Sequence, residues 1–205
     1  MQNLIENLRH SLVERPLPRW GAMGPELSYG RHRGPAREAT RRAAVLLAMY
    51  EFDGQWWLPL TVRHSDMSRH QGQISLPGGL IEPGEGSDDA AVREFIEELG
   101  PSRVEMLGRL EACYVYVSDT LVTPWVGTIA RPQAWQPNPR EVERVIEMPL
   151  ALLTDTAARR VAPLERGPLQ FTAPGFAIGG DHVWGATAVI LEQLSNLLRR
   201  NYLAV

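Results

Sequence analysis

Residues 79–101 read GLIEPGEGSDDAAVREFIEELGP, and this stretch decides how the middle of the 205-residue chain folds. Ser87 is followed by two aspartates. This pattern predicts a helix N-cap with acidic side chains in the first helical turn. The pair Gly100-Pro101 predicts the end of the helix near Leu99, because glycine permits the terminating turn and proline lacks the next backbone donor. The stretch therefore predicts a loop, a helix and a second loop.

Three glutamates occupy one side of this predicted helix. Glu97 and Glu98 follow Glu94 by three and four positions. At about 100° per residue, the three carboxylates lie within roughly one third of the helix circumference. Oxygen ligands in this number suit Mg²⁺ or Mn²⁺. The alternative is a solvated acidic face, which most glutamate-rich helical turns form.

The full spacing of glycines and charges resembles the Nudix box, Gly-x5-Glu-x7-Arg-Glu-U-x-Glu-Glu-x-Gly-U, in which U is a bulky apolar residue. Every glycine and charged position of the box is matched, and Phe95 fits the first apolar position. Pro101 departs from the pattern at the last apolar position. The matching residues are Gly79, Glu85, Arg93, Glu94, Glu97, Glu98 and Gly100.

The resemblance implies a fold, a reaction class and residue roles. Nudix enzymes hydrolyse a diphosphate linked to another moiety, with Mg²⁺ or Mn²⁺ as cofactor, on an α/β/α sandwich with a mixed α+β sheet and a metal-binding loop-helix-loop. By resemblance, Glu94 and Glu98 are the principal metal ligands. Glu97 is a further metal ligand or the general base, so that Glu97 and Glu98 both act in catalysis. Glu85 and Arg93 brace the loop against the helix.

Diphosphate chemistry agrees with this assignment. Hydrolysis needs cations that neutralise charge on the phosphate oxygens and a water that is nucleophilic at neutral pH. A carboxylate that is not fully engaged as a metal ligand can accept the proton of that water. Glu97 or a glutamate from a loop could be this base.

Residues 60–79, LTVRHSDMSRHQGQISLPGG, resemble in part the motif of the coenzyme A pyrophosphatase branch of the Nudix family, Leu-Leu-Thr-x-Arg-Ser-x3-Arg-x3-Gly-x3-Phe-Pro-Gly-Gly. Arg69 lies one place beyond the expected second arginine. The matching residues are Thr61, Arg63, Gly72, Pro77, Gly78 and Gly79. This resemblance narrows the expected substrate to coenzyme A or an acyl derivative.

Four residues of this segment form the predicted substrate-binding set. Arg63 and Arg69 are expected to bind phosphate, because guanidinium groups bind phosphate oxygens in a bidentate way. Gly78 and Gly79 let the chain turn sharply beside a ligand, since glycine adopts backbone angles closed to other residues. For the arginines, the alternative is ordinary solvated charge on a surface loop.

A third motif follows the helix. Residues 138–142, NPREV, also resemble coenzyme A diphosphatase sequences. In Nudix enzymes a glutamate from a loop beyond the box often joins the metals or acts as base, which makes Glu141 or Glu143 the candidate. A charge that caps a helix N-terminus is the alternative for Glu141.

Composition limits the partners and the compartment. A net charge of -3 and a pI near 6.0 argue against a nucleic-acid polymer as partner. The resemblance implies a small nucleotide diphosphate as the partner instead. Cys113 is the only cysteine, which excludes an internal disulfide and predicts a reducing cytoplasm. Export and membrane insertion are not expected, because neither a signal pattern nor a long apolar run is present. The family resemblance implies that the protein forms a homodimer.

Length and hydrophobic content predict one domain with an N-terminal extension. Residues 1–36 are predicted to form a helix and an irregular arm, and residues 37–205 the Nudix domain. Phe52-Asp53-Gly54 predicts a hairpin turn. The other predicted elements are strands at 43–50, 55–63, 104–117 and 121–130 and a closing helix at 184–198.

The leading hypothesis is a metal-dependent diphosphatase that cleaves coenzyme A or acyl-coenzyme A to adenosine 3′,5′-bisphosphate and a 4′-phosphopantetheine product. ADP-ribose, dinucleotides and nucleoside triphosphates are competing substrates. A different hypothesis is a non-catalytic nucleotide-binding regulator on the same scaffold. Such a regulator would be expected to lose one or more of the metal-binding acids, which are all present here.

Overall fold

The computed structural model describes residues 2–14, 36–64, 72–166 and 169–202. These ranges contain three α-helices and one short 3₁₀ helix. The helices are α1 (Gln2–Glu14), α2 (Ser87–Leu99), α3 (Gly185–Tyr202) and the 3₁₀ helix Leu150–Leu153. No helix in the described ranges is long and apolar enough to cross a membrane.

The strands of the described ranges form two sheets, one of eight strands and one of three. The larger sheet contains β1 (Arg41–Phe52), β2 (Gln55–Arg63), β3 (Ile74–Ser75), β4 (Gly78–Leu80), β5 (Val104–Arg109), β6 (Cys113–Val115), β7 (Thr120–Ile129) and β8 (Val142–Pro149). The smaller sheet contains β9 (Arg159–Arg166), β10 (Leu169–Ile178) and β11 (Asp181–Trp184).

The central strand of the larger sheet is β1. It pairs antiparallel with β2 and β4 and parallel with β7, so the sheet is mixed. It joins β2 through Asp53 and Gly54, whose φ angles are +53° and +72°. Positive φ at both positions is characteristic of the type I′ hairpin turn. The predicted hairpin is therefore confirmed.

Alternate residues of β1 enter two different cores. Ala44, Leu46, Ala48 and Tyr50 face α2 and pack with Phe95. Intervening residues face the other side of the sheet, where α1 and α3 pack. That second core includes Ala43, Leu47, Met49, Leu8, Leu191 and Leu194. The sheet thus lies between helices, which confirms the predicted α/β/α sandwich.

The smaller sheet was not predicted from the sequence. Its three strands are antiparallel, and β10 and β11 pack on α3. Arg159 of β9 links the sheet to α3, because its guanidinium lies 2.6 Å from the Glu192 carboxylate and donates to Ser195 Oγ at 3.0 Å. Pro163 and Pro174 lie within these strands, and proline weakens the sequence signal for a strand because it cannot donate to a ladder.

The N-terminal helix α1 packs against β5 and α3. Leu4 and Leu8 are buried in the core, and Arg9 pairs with Glu105 at 2.7 Å. The predicted irregular arm falls largely on residues 15–35, which lie outside the described residues. A domain boundary between residues 36 and 37 therefore stays a prediction.

The bounds of α2 agree with the sequence, but its N-cap does not. Gly86 is the N-cap and makes no side-chain capping bond, so the prediction of Ser87 as the cap is wrong. The Ser87 hydroxyl instead accepts a hydrogen bond from Trp125 Nε1 at 3.1 Å. At the other end, Gly100 has a φ of +97° and donates to Ile96 O, which ends the helix as predicted.

Candidate metal centre

The glutamate face of α2 is held beside the loop that precedes the helix. In the antiparallel ladder between β4 and β1, Gly78 lies opposite Val45 and Gly79 opposite Ala44. On α2, the fully buried side chain of Phe95 packs in the core between helix and sheet. These two attachments fix the distance between the glycine pair and the helix.

Glu94 lies directly against Gly79. A Cβ atom at position 79 would come within 2.4 Å of Oε1 and 2.5 Å of Oε2 of Glu94. Glycine is required here because any larger residue would displace that carboxylate. Burial raises the pKa of Glu94 above its ordinary value, Arg93 opposes the rise, and the charges of Glu97 and Glu141 add to it.

Glu98 is the most buried of the three helix glutamates, with 3% of the residue exposed. Its Oε1 accepts a long hydrogen bond of 3.5 Å from Gly78 N. Its Oε2 is buried and has no hydrogen-bond partner in the described part of the chain. Burial raises the pKa of Glu98 to about 7, Gly78 and Arg63 oppose that rise, and Glu141 and Glu94 add to it.

Arg93 connects the loop to the helix. Its Nε and Nη2 donate to the two carboxylate oxygens of Glu85 at 2.8 and 3.1 Å, and Nη2 also donates to Leu80 O at 3.1 Å. Its Nη1 donates to Glu94 at 2.9 Å and to Glu97 at 3.3 Å. The hydrogen bond from Arg93 holds the pKa of Glu85 below its usual value. This geometry supports the predicted bracing role.

Replacing Arg93 by lysine is expected to lower the thermal unfolding midpoint by a few degrees. A lysine keeps the positive charge but cannot form the two-pronged contact with Glu85 and reach Leu80 O at the same time. Differential scanning fluorimetry of Arg93→Lys beside the exposed control Arg140→Lys measures the effect. Equal unfolding midpoints for both variants and the wild type would contradict a bracing role.

The donor set fits a divalent cation. Among the described residues the buried Oε2 of Glu98 has no hydrogen-bond partner, and a buried carboxylate oxygen is costly until a cation or a proton satisfies it. Across the described residues, however, no three acidic, histidine or cysteine side chains already converge closely enough to hold a metal ion. Carboxylates repel one another, and Glu94 is paired with Arg93 instead. The residues fit the ion chemically, and Arg93 engages only Oε1 of Glu94.

Glu141 lies in a turn next to the C-terminus of α2. Asn138 N donates to Glu98 O at 2.9 Å, and His64 N donates to Glu141 O at 3.0 Å. The turn leads into β8, so the alternative of a helix-capping charge at Glu141 is wrong. Of the two candidate loop glutamates, Glu141 is the one whose charge raises the pKa of both Glu94 and Glu98, whereas Glu143 is exposed on β8.

A cavity of about 450 Å³ opens beside the glycine pair. Arg63 lines it together with Gly78 and Gly79, so these three predicted substrate-binding residues share one cavity. Arg69, the fourth, lies outside the described residues. The remaining wall is mostly apolar, with aliphatic residues that include Val45, Val115, Val122, Ala186, Val189 and Ile190, the aromatic residues Tyr114, Tyr116 and Trp184, and the polar residues Gln73, Ser75 and Thr187.

The sequence did not predict this cavity wall. Cys113 lines it from β6 and Ile190 from α3. In the sequence, both residues have the apolar character of ordinary core residues. Burial raises the pKa of Cys113 to about 12, which keeps the thiol protonated and unreactive. Thr187 donates to Ile74 O at 3.2 Å and thereby ties α3 to β3 at the edge of the cavity. An apolar residue of a cavity wall carries no sequence signal that separates it from a core residue.

Comparisons with known proteins agree with the box motif. A family model described as the NUDIX domain matches residues 40–166. A mitochondrial coenzyme A diphosphatase of Homo sapiens is 36% identical over 162 residues, which cover 76% of this chain and 69% of that protein. The mitochondrial coenzyme A diphosphatase of Mus musculus is 35% identical over 173 residues, which cover 79% of this chain and 80% of that protein. Nudix hydrolase 15 of Arabidopsis thaliana, a mitochondrial protein, is 36% identical over 175 residues, and the match spans 60% of its length.

Solved structures share the fold at low sequence identity. A MutT/nudix family protein from Enterococcus faecalis superposes with a TM-score of 0.55 at 15% identity, covering 82% of this chain and 65% of that one. A Nudix hydrolase from Nitrosomonas europaea gives a TM-score of 0.52 at 15% identity, covering 81% and 74%. The match to the family model, the identity to the mammalian relatives and the shared fold lead to one conclusion: this chain belongs to the Nudix hydrolase family.

Proposed function

We propose that this Nudix hydrolase cleaves the diphosphate of coenzyme A or acyl-coenzyme A, giving adenosine 3′,5′-bisphosphate and a 4′-phosphopantetheine product. The observation that carries the proposal is the position of the apolar cavity, which shares Gly78 and Gly79 with the carboxylate face of α2. A diphosphate at the glycine pair would leave one arm of the substrate in that cavity.

Glu94, Glu97 and Glu98 would hold Mg²⁺ or Mn²⁺ in this proposal. When bound, the cation neutralises charge on the phosphate oxygens and lowers the pKa of water. Glu141 or Glu97 accepts a proton from the attacking water at a carboxylate oxygen. Glu98 takes part in catalysis as well, since its buried oxygen is available to a ligand.

Arg63 is the proposed phosphate-binding side chain within the described residues. It lines the cavity, and its charge lowers the pKa of Glu98, which places a fixed positive group near the carboxylate face. A guanidinium can bind two oxygens of one phosphate. Gly78 and Gly79 leave room for the diphosphate, and Arg69 keeps its phosphate-binding role as a prediction. Glu85 and Arg93 support the loop that carries the glycines.

The mostly apolar cavity suits the pantetheine or acyl arm of the proposed substrate. Most residues of its wall are apolar, so an arm rich in methylene groups finds a large apolar surface there. Methylene groups of a pantetheine or acyl arm gain about 0.8 kcal/mol each when they leave water. The names of the human and mouse relatives describe coenzyme A diphosphatases, and this agrees with the proposed substrate.

Product analysis tests the substrate directly. Coenzyme A, acetyl-coenzyme A, ADP-ribose, NADH and a nucleoside triphosphate are incubated with the protein and Mn²⁺, and the products are separated by mass spectrometry. We expect the highest kcat/KM for coenzyme A or its acetyl derivative, with adenosine 3′,5′-bisphosphate as one product. Faster turnover of ADP-ribose would reject the coenzyme A assignment, and no turnover of any substrate would favour the non-catalytic regulator.

Two further expectations belong to this proposal. A homodimer is expected from family likeness, and light scattering in solution checks it. A cytoplasmic location is expected from the single cysteine, whereas the human and mouse relatives are mitochondrial by name. Fractionation of the native cells decides the compartment.

A further inference from the structure

The segment at residues 136–141, which precedes β8, is anchored to the C-terminal end of α2. Gln136 N donates to Leu99 O at 3.1 Å, and Asn138 N donates to Glu98 O at 2.9 Å. Both acceptors belong to the last turn of α2, where carbonyl groups have no partner within the helix. The backbone of Asn138 is therefore fixed relative to Glu98.

Asn138 also shapes the turn that follows it. Its Oδ1 accepts a hydrogen bond from Arg140 N at 3.1 Å. Its backbone oxygen accepts from Glu141 N at 3.0 Å and from Val142 N at 2.8 Å. The last hydrogen-bonding group, the side-chain amide Nδ2, donates to Glu141 Oε1 at 3.5 Å. All its hydrogen-bonding groups thus serve this turn or the helix.

The amide contact is the one hydrogen bond that reaches the Glu141 carboxylate from the described residues. His64 N fixes the backbone of Glu141 from the other side, by donating to its carbonyl oxygen at 3.0 Å. The carboxylate needs a donor to hold it in place, because the charges of Glu94 and Glu98 repel it.

We infer that Asn138 is a positioning residue, whose side-chain amide holds the Glu141 carboxylate beside Glu98 against the repulsion of the neighbouring acids. The inference rests on the proposed function, in which Glu141 accepts a proton. An amide suits this task because it donates at every pH and carries no charge. A lysine or arginine would instead neutralise the carboxylate and weaken it as a base.

Asn138→Asp distinguishes the contact of the amide with Glu141 from the contribution of the side chain to the turn. The new side chain keeps an oxygen that can accept from Arg140 N, but it replaces the Nδ2 donor by an oxygen that repels Glu141. We expect kcat to fall about 10-fold, with KM changed by less than about twofold, because the loss affects a catalytic group and not ground-state binding. Arg140→Ala, an exposed change in the same turn, is the matched control and should keep the wild-type kcat.

A double-mutant cycle with Glu141→Gln tests whether Asn138 acts through that carboxylate. With a neutral side chain at position 141, the Asn138→Asp change meets no negative charge there and should lower kcat by less than about twofold further. Losses that multiply would show that Asn138 acts through the fold, and the positioning role would be overturned. A wild-type kcat in Glu141→Gln alone would overturn it as well.

The choice of substrate keeps this test separate from the proposed function. All variants are assayed with the diphosphate that the wild type hydrolyses fastest, so failure with coenzyme A rejects the substrate and leaves the coupling measurable. Crystal structures of the wild type and Asn138→Asp give a readout that needs no turnover. In the variant, the Glu141 carboxylate should turn away from Glu98, and an unchanged conformer would contradict the inference.

Discussion

Glu98→Gln is expected to lower kcat by about 10³-fold while the folded protein stays at least as stable as the wild type. Glutamine keeps the size of the side chain and an acceptor for Gly78 N, but it removes the negative charge that would bind a cation. It also replaces a buried charged carboxylate, one oxygen of which has no hydrogen-bond partner in the described structure, by a neutral amide that costs less free energy to bury. Activity and stability should therefore change independently.

The raised pKa of Glu98 also predicts how the free energy of unfolding changes with pH. Burial raises the pKa of Glu98 to about 7 from an ordinary value of 4.5, so between these values the folded state binds more protons than the unfolded state. The contribution of Glu98 to stability is then full below pH 4.5 and is lost as the pH rises through about 7. The loss is on the order of 3 kcal/mol in metal-free buffer, and Glu98→Gln should not show it.

Urea unfolding of wild type and variant at several pH values, in the presence of a chelator, measures this difference. Glu51→Gln, an exposed change on β1, is the control for the loss of one charge and should follow the wild type. A variant that unfolds more easily than the wild type at pH 8 would contradict the burial of an unpaired carboxylate. Wild-type turnover in Glu98→Gln would contradict its role in the reaction.

Gly79→Ala is expected to lower kcat, whereas Gly78→Ala is expected to lower the stability of the fold. The three atoms nearest to a Cβ atom at position 79 all belong to the carboxylate of Glu94, the far end of a flexible side chain, which can move away. We therefore expect Gly79→Ala to fold and to lose about 10²-fold in kcat, because Glu94 leaves the metal-binding face.

Position 78 is surrounded by backbone. A Cβ atom there would lie 2.3 Å from Ala44 O and 2.6 Å from Val45 Cα, both in the central strand β1. These atoms cannot move without disturbing the sheet, so Gly78→Ala should lose about 3 kcal/mol or more of stability, or about 10 °C in Tm. Thermal unfolding and kcat measured on both variants test the contrast. Equal stability of the two alanine variants would contradict the position of β4 against β1.

The features that were predicted correctly from the sequence depend on residues close together in the chain. The shared face of Glu94, Glu97 and Glu98 depends only on helix geometry and on residues within one segment. The hairpin at Asp53 and Gly54 likewise depends on the backbone preferences of two residues. In the described structure α2 runs from Ser87 to Leu99, and the hairpin pairs Phe52 with Gln55.

Contacts between distant segments account for what the sequence did not predict. The Ser87 hydroxyl accepts a hydrogen bond from Trp125, a residue of another element, and does not cap α2. The turn that carries Glu141 is placed by a hydrogen bond to Glu98 O, which no local pattern encodes. The cavity is assembled from strands and α3, so its apolar lining residues look like core residues in the sequence.

Direct binding of Mn²⁺, followed by electron paramagnetic resonance, tests whether the acids of α2 hold a divalent cation. The wild type should bind Mn²⁺ in competition with Mg²⁺, and Glu94→Gln and Glu98→Gln should each weaken the affinity at least about 10-fold. The control Glu51→Gln should bind Mn²⁺ as the wild type does. Equal Mn²⁺ affinity in the wild type and in both helix variants would contradict a metal centre on α2.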